Sequence, residues 1–110
     1  MGGISEQRFV SVDSCVDYRS YVYNIDPDLS RDEYAVICRR LMSIGRTSEE
    51  RMGVVYIYGP WGFFVIPQYG YPTLRISFFH NTSTIERDEV LGAIHAAFEA
   101  PDAFPGKGDI

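Results

Sequence analysis

The stretch YPTLRISFFHNTSTIERDEVLGAI, residues 71–94, contains both periodicities that a mixed fold needs. From Thr73 to Phe79, apolar Leu74, Ile76 and Phe78 alternate with Thr73, Arg75, Ser77 and Phe79. Successive side chains of a strand point to opposite faces, so one face is apolar and the other carries Arg75 and Ser77. After His80-Asn81-Thr82 comes Ser83, with Glu86 placed to complete a capping box. Behind it Val90, Leu91, Ile94, Ala97 and Phe98 recur at helical spacing, which predicts an amphipathic helix ended by Pro101.

Upstream, YRSYVYNI (18–25) is rich in β-branched and aromatic residues and reads as a strand, closed by the turn sequence DPD at 26–28. Ser30 and Glu33 form a first capping box, and Tyr34, Ile37, Leu41 and Ile44 predict a helix from Arg31 to Ile44 with Gly45 as its stop. RTSEERMG (46–53) reads as a polar, mobile loop. VVYIY (54–58) and FFVIP (63–67) flank GPWG and predict a hairpin, and PQYGYP (67–72) is a second turn-rich link. Residues 1–17 read as an N-terminal arm or edge strand, with a weak alternation at Phe9, Val10 and Val12, and 100–110 as a flexible tail. The predicted order is β-α-β-β-β-α, a single α+β domain over 18–99. An antiparallel sheet of about four strands, with two helices on one face, buries both helical stripes most simply. The other face, carrying Arg75, Ser77 and many aromatics, is left open.

At 110 residues the chain fits one domain that needs no disulfide staple, and 45% hydrophobic with 23% charged residues is the balance of a globular protein. The net charge of −5, the lone lysine Lys107 and scattered arginines argue against nucleic acid, whose phosphates call for clustered cations. Arg39, Arg40, Arg46 and Arg51 read either as a local basic patch or as a solvated helix face and loop. Cys15 and Cys38 match neither a disulfide framework nor metal spacing, and Cys38 reads as a small buried hydrophobe. No metal site is expected from His80, His95 and the scattered acids. With no signal-like start and no apolar run approaching the ~20 residues of a membrane span, a cytoplasmic location without a membrane partner is expected.

Leu74-Arg75-Ile76-Ser77, Asn81-Thr82, Val90-Leu91 and Ala93-Ile94 together resemble the C-terminal small domain of fold-type I pyridoxal-phosphate enzymes. Class V aminotransferases, cysteine desulfurases and group II amino-acid decarboxylases are of this kind. NIDPDLSRDEYAVICRRLMSIG (24–45) is similar to the strand, Pro-Asp, helix and Gly that open that domain. The resemblance implies a small domain that packs beside a cofactor-bearing large domain and closes over substrate. It also implies that Arg75, matching the family's strand arginine, grips the substrate carboxylate as a bidentate pair. The chain departs from the family in lacking a large domain, in having only Lys107, within a Gly/Pro-rich tail, and in placing Ile85 where the family has an acid. It therefore does not read as a complete enzyme of that type, since the cofactor needs a Schiff-base lysine. The expected function is a non-catalytic small subunit or accessory domain, with no cofactor of its own and pyridoxal phosphate in a partner chain. Arg75, Ser77 and His80 are the candidate carboxylate-binding residues.

Each candidate has a plainer reading beside it. Arg75 reads otherwise as a surface arginine on an open sheet face, stacked on neighbouring tyrosines. His80 is a ligand-handling group before a helix N-terminus or simply a turn residue, and His95 borders the apolar helix face as half-buried structure. Trp61, with Phe63 and Phe64, is either an exposed anchor for a partner or a hairpin tip folded back on the sheet. Two further functional readings follow: a stand-alone interaction module or homo-oligomer using the aromatic face and the Trp61 tip, and a small enzyme using His80 and Arg75 on an acidic substrate.

Overall fold

Among the described residues, six strands form one antiparallel sheet, and two helices bury their apolar stripes against one of its faces. The computed structural model describes residues 9–12 and 18–99. The elements are β1 (Phe9–Val12), β2 (Tyr18–Asn24), α1 (Arg31–Met42), β3 (Thr47–Arg51), β4 (Val54–Gly59), β5 (Gly62–Ile66), β6 (Thr73–Phe79) and α2 (Thr84–Glu99). The sheet order is β1-β2-β6-β5-β4-β3. After β2 the chain crosses through α1 to the far edge, then returns strand by strand until β6 pairs with β2. The predicted tail, and residues 1–8 and 13–17 of the arm, Cys15 among them, lie outside the described residues.

The sheet thus has six strands where the sequence predicts about four. The weak alternation at the N-terminus is the edge strand β1, whose Phe9 lies opposite Tyr23 with ring centroids 4.9 Å apart. β3 occupies the stretch read as a mobile loop. All five of its residues are exposed, so it has no apolar alternation, and its pairing with β4 defines it instead. Met52 (φ 51°) and Gly53 (φ 84°) make the two-residue turn between them. Positive φ at both positions matches the right-handed twist of the flanking strands.

α1 is opened by the predicted capping box: the Ser30 N–H donates to Glu33 Oε1 at 2.9 Å, and the Glu33 N–H to Ser30 Oγ at 3.1 Å. The helix stops at Met42 rather than Ile44, with Ser43 as C-cap at φ −84°, so Gly45 is not the stop residue. The Ser43 N–H and hydroxyl both turn back onto the Arg40 carbonyl, which supplies the termination without a left-handed glycine. At the start of α2, Ser83 Oγ accepts from the Glu86 N–H at 3.1 Å.

The core is one cluster beneath the helices. Leu74, Ile76 and Phe78 are each fully buried, with Phe64 and Ile57 beside them in the sheet. Tyr34, Ile37 and Leu41 of α1, and Val90, Leu91, Ile94, Ala97 and Phe98 of α2, close over them, as the helical spacing predicts. Each buried Leu, Ile, Val or Phe among them contributes about 1.5–3 kcal/mol by leaving water.

Gly62, at the start of β5, lies opposite Phe78 at φ 141°, and a Cβ there would meet the Ser77 carbonyl oxygen at 2.1 Å. Gly62→Ala is expected to destabilise the protein by roughly 1–3 kcal/mol through backbone strain and overpacking. Gly92 in α2 has open space around its Cβ position, so Gly92→Ala is expected to stabilise by about 0.5–1 kcal/mol. Urea denaturation of the two variants checks the opposite signs.

Candidate functional site

The register that buries Leu74, Ile76 and Phe78 turns a second set of residues to the face without helices. Val22, Arg75, Val65, Tyr56 and Glu49 lie in one row across β2, β6, β5, β4 and β3. Ser20, Ser77, Phe63, Tyr58 and Thr47 form the next, and Tyr18 faces Phe79 beyond.

Ser20 and Ser77 are buried on this open face, at 2% and 6% exposure, with their hydroxyls 3.0 Å apart. The reason lies in the rings around them. Tyr18 and Phe63 meet edge to face at 5.6 Å although β6 separates their strands, so they close over the small serine positions. Tyr18 also packs on Phe79 at 5.6 Å. Phe63 continues the chain of rings to Tyr58 at 6.2 Å and Tyr56 at 6.5 Å, and those two tyrosines stack at 6.3 Å. Five aromatic rings therefore run contiguously across the face from β2 to β4.

Polar groups fix the β3 end of that run. Glu49 accepts from the Tyr58 hydroxyl at 3.1 Å and pairs with Arg51 at 3.2 Å, while the Arg51 guanidinium lies 5.5 Å from the centre of the Tyr56 ring. The Arg51 hydrogen bond, followed by that from Tyr58, holds the Glu49 carboxyl below the usual carboxylate range. Desolvation, followed by the Glu49 bond, pushes the Tyr58 phenol up. Of the four arginines of the potential basic patch, Arg51 is thus committed to an acid.

Arg75 is exposed on the same face, as the alternation predicts. It lines a groove of about 520 Å³ with Val22, Val54, Val65, Pro67 and Tyr71. The other two carboxylate-binding candidates do not join it. Ser77 lies under the rings with its hydroxyl shared with Ser20. His80 is exposed in the turn after β6, ~17 Å along the chain from Arg75 at the rise of an extended strand.

The aromatic trio also separates. Trp61 is 5% exposed, packed on Phe64 at 6.0 Å and Phe78 at 5.9 Å, on the helix side of the sheet. Its carbonyl accepts from the Phe79 N–H and the Thr82 hydroxyl, each at 2.9 Å, which pins the hairpin tip inward. The tip is folded back and presents no exposed indole. Phe64 is fully buried, and only Phe63 of the three belongs to the open face. Sequence reasoning missed Tyr18, Tyr56, Tyr58 and Phe79 as site residues. Their strand parity alone could have found them once the pairing partners were known.

Cys38 is a free, half-buried thiol beside Tyr34, and burial pushes its pKa up, away from the depressed range of activated thiolates. His95 is half-buried, 6.2 Å from the Tyr23 ring, and its buried Nδ1 has no hydrogen-bond partner among the described residues. The described residues include no lysine, so nothing in them fits the amine that pyridoxal phosphate requires. Among them there is also no cluster of His, Cys, Asp or Glu able to hold a metal, and no helix long and apolar enough to cross a membrane. Comparison with protein-family models, with curated proteins and with solved structures finds no match to the chain.

Because the folded-state pKa of Glu49 is depressed, its contribution is present above the ordinary carboxylate range and is lost as pH falls through the lower folded value. Arg51→Gln should raise the Glu49 titration midpoint toward the ordinary value of about 4.3, and Tyr58→Phe should raise it less. A carboxyl-carbon NMR titration reads both shifts.

Proposed function

We propose that the protein is an interaction module that engages a partner protein through its open sheet face. The observation that carries this reading is the contiguous run of Tyr18, Phe79, Phe63, Tyr58 and Tyr56 on a face that neither helix covers. Partly exposed aromatic clusters of this kind mark binding surfaces, because large rings bury much area while losing few rotamers. The rings are also held in place before any partner arrives, by the small serines beneath them and by Glu49 and Arg51 at one end, which lowers the entropy cost of binding. The free thiol of Cys38 supports a reducing, cytoplasmic setting for that partnership.

The test is affinity capture from the native source followed by quantitative mass spectrometry. Wild type and a Met52→Ser control, changed on the β3–β4 turn, should recover the same partner, whereas Phe63→Ser and Phe79→Ser should lose it about tenfold or more. Equal recovery by both ring variants, with melting temperatures showing them folded, would remove the open face from the account.

A second reading is favoured by one observation, the exposed Arg75 lining its groove on the open face. On that reading the protein is an accessory domain beside a pyridoxal-phosphate-bearing chain and lends Arg75 to a substrate carboxylate. The captured partner is then a larger chain with the visible absorbance of that cofactor. A colourless complex would count against it.

A further inference from the structure

Tyr71 forms a wall of two grooves. One is the Arg75 groove; the other, of about 360 Å³, is lined by Tyr34, Tyr69, Tyr71, Pro27, Pro72 and Asp26, among others. They meet where β2 and β6 end together, since Asn24 of the second groove lies opposite Thr73 of the first. We propose that the pair receives an extended, proline-rich segment of a partner protein, laid across Tyr71 with a basic residue toward Asp26 and an acidic residue toward Arg75. This rests on the interaction-module reading and names the kind of chain that the module takes.

Three features argue for that chemistry. First, the walls are aromatic and firmly held. The Tyr34 hydroxyl donates to the Pro67 carbonyl, and the Tyr69 hydroxyl donates to the Leu29 carbonyl at 2.7 Å. The Arg31 guanidinium sits 4.7 Å from the centre of the Tyr69 ring, and the Tyr71 N–H closes the turn onto the Gln68 carbonyl at 3.1 Å. With its hydroxyl already bonded, exposed Tyr69 offers a ligand mainly ring surface, and buried Tyr34 backs it with the two ring centroids 5.7 Å apart.

Second, Tyr71 is 59% exposed and Tyr69 40%, so both present ring surface along the grooves they line. A polyproline II segment has three residues per turn and no internal hydrogen bonds, and it is already extended in solution. Its prolines seat in hollows between aromatic ridges at low ordering cost, without needing a free sheet edge.

Third, the two grooves differ in sign. Asp26 and the neighbouring Asp28 are exposed at one end, where they outnumber Arg31 over the Tyr69 ring, and exposed Arg75 lies at the other. Opposite charges at the two ends favour one direction for a segment carrying complementary charges. The chain's net charge of −5 argues against a nucleic-acid strand on the same rings.

The test is fluorescence polarisation with a panel of labelled, end-capped peptides of about ten residues, with arginine first, glutamate last and prolines at differing spacings, the turn repeat being three. At least one should bind wild type, and its all-alanine counterpart and a version with the end charges exchanged should bind more weakly. Tyr71→Ala, an exposed position, should weaken binding about tenfold or more, and Arg75→Gln should abolish the preference for charge direction. Ile85→Ser, exposed on α2 and outside both grooves and the ring run, should bind peptide as wild type does. Amide NMR shifts on titration should cluster at Tyr71, Thr73 and Asn24. If no peptide of the panel binds while Phe63-dependent capture persists, the groove inference falls and the module reading stands. Binding that survives Tyr71→Ala, or that the alanine peptide matches, also overturns it. Tyr71-dependent peptide binding without Phe63-dependent capture would support the grooves and remove the ring run.

Discussion

The pleat of β6 is the constraint on which the rest of the molecule depends. The strand lies between β2 and β5, so each of its side chains must suit either the helix-covered face or the open one. Leu74, Ile76 and Phe78 meet the first demand by filling the floor beneath α1 and α2. Ser77 meets the second by being small. A large side chain at that position would stand where Tyr18 and Phe63 now close over it. One alternation thus builds the core and leaves a trough on the opposite side into which the rings settle.

The crossover through α1 decides how wide the open face becomes. By taking the chain from β2 to the far edge, it lets four successive strands return toward β2, and all of them add to one sheet. Both helices lie on the side of the apolar stripe, because their own stripes have nowhere else to be buried. The other side keeps Tyr18, Phe63, Tyr56, Tyr58 and Phe79 in reach of solvent. Its outer end is closed by β3, an exposed strand whose Glu49 and Arg51 make it a poor template for further strand pairing.

Much of the fold was legible because it depends on short-range physics. The capping box at Ser30, the Ser83 contact with Glu86, the helical stripes and the span of β6 follow from spacing within a few residues. β3 was not legible: five exposed residues give no periodic signal, and only the ladder to β4 makes them a strand. Gly45 misled as a helix stop because Ser43 supplies the termination by other means. Trp61 read equally well as exposed anchor or folded-back tip, since a two-residue turn leaves the direction of its ring to the surface beneath it. Here Phe64 and Phe78 offered that surface.

By itself the sequence determined what alternation and local capping dictate: where the helices start, which residues of β6 share a face, and that Arg75 lies opposite the apolar stripe. The tertiary structure alone decided which distant residues become neighbours. Ser20 meets Ser77 across 57 positions of chain, and Tyr18 reaches Phe63 over an intervening strand. It also buried Ser77 beneath the rings beside an exposed Arg75, and left His80 in the turn beyond the strand. The physical reason is that a strand's period specifies its faces but not its partners. Strand pairing is settled by the whole sheet finding the register that buries both helices at once.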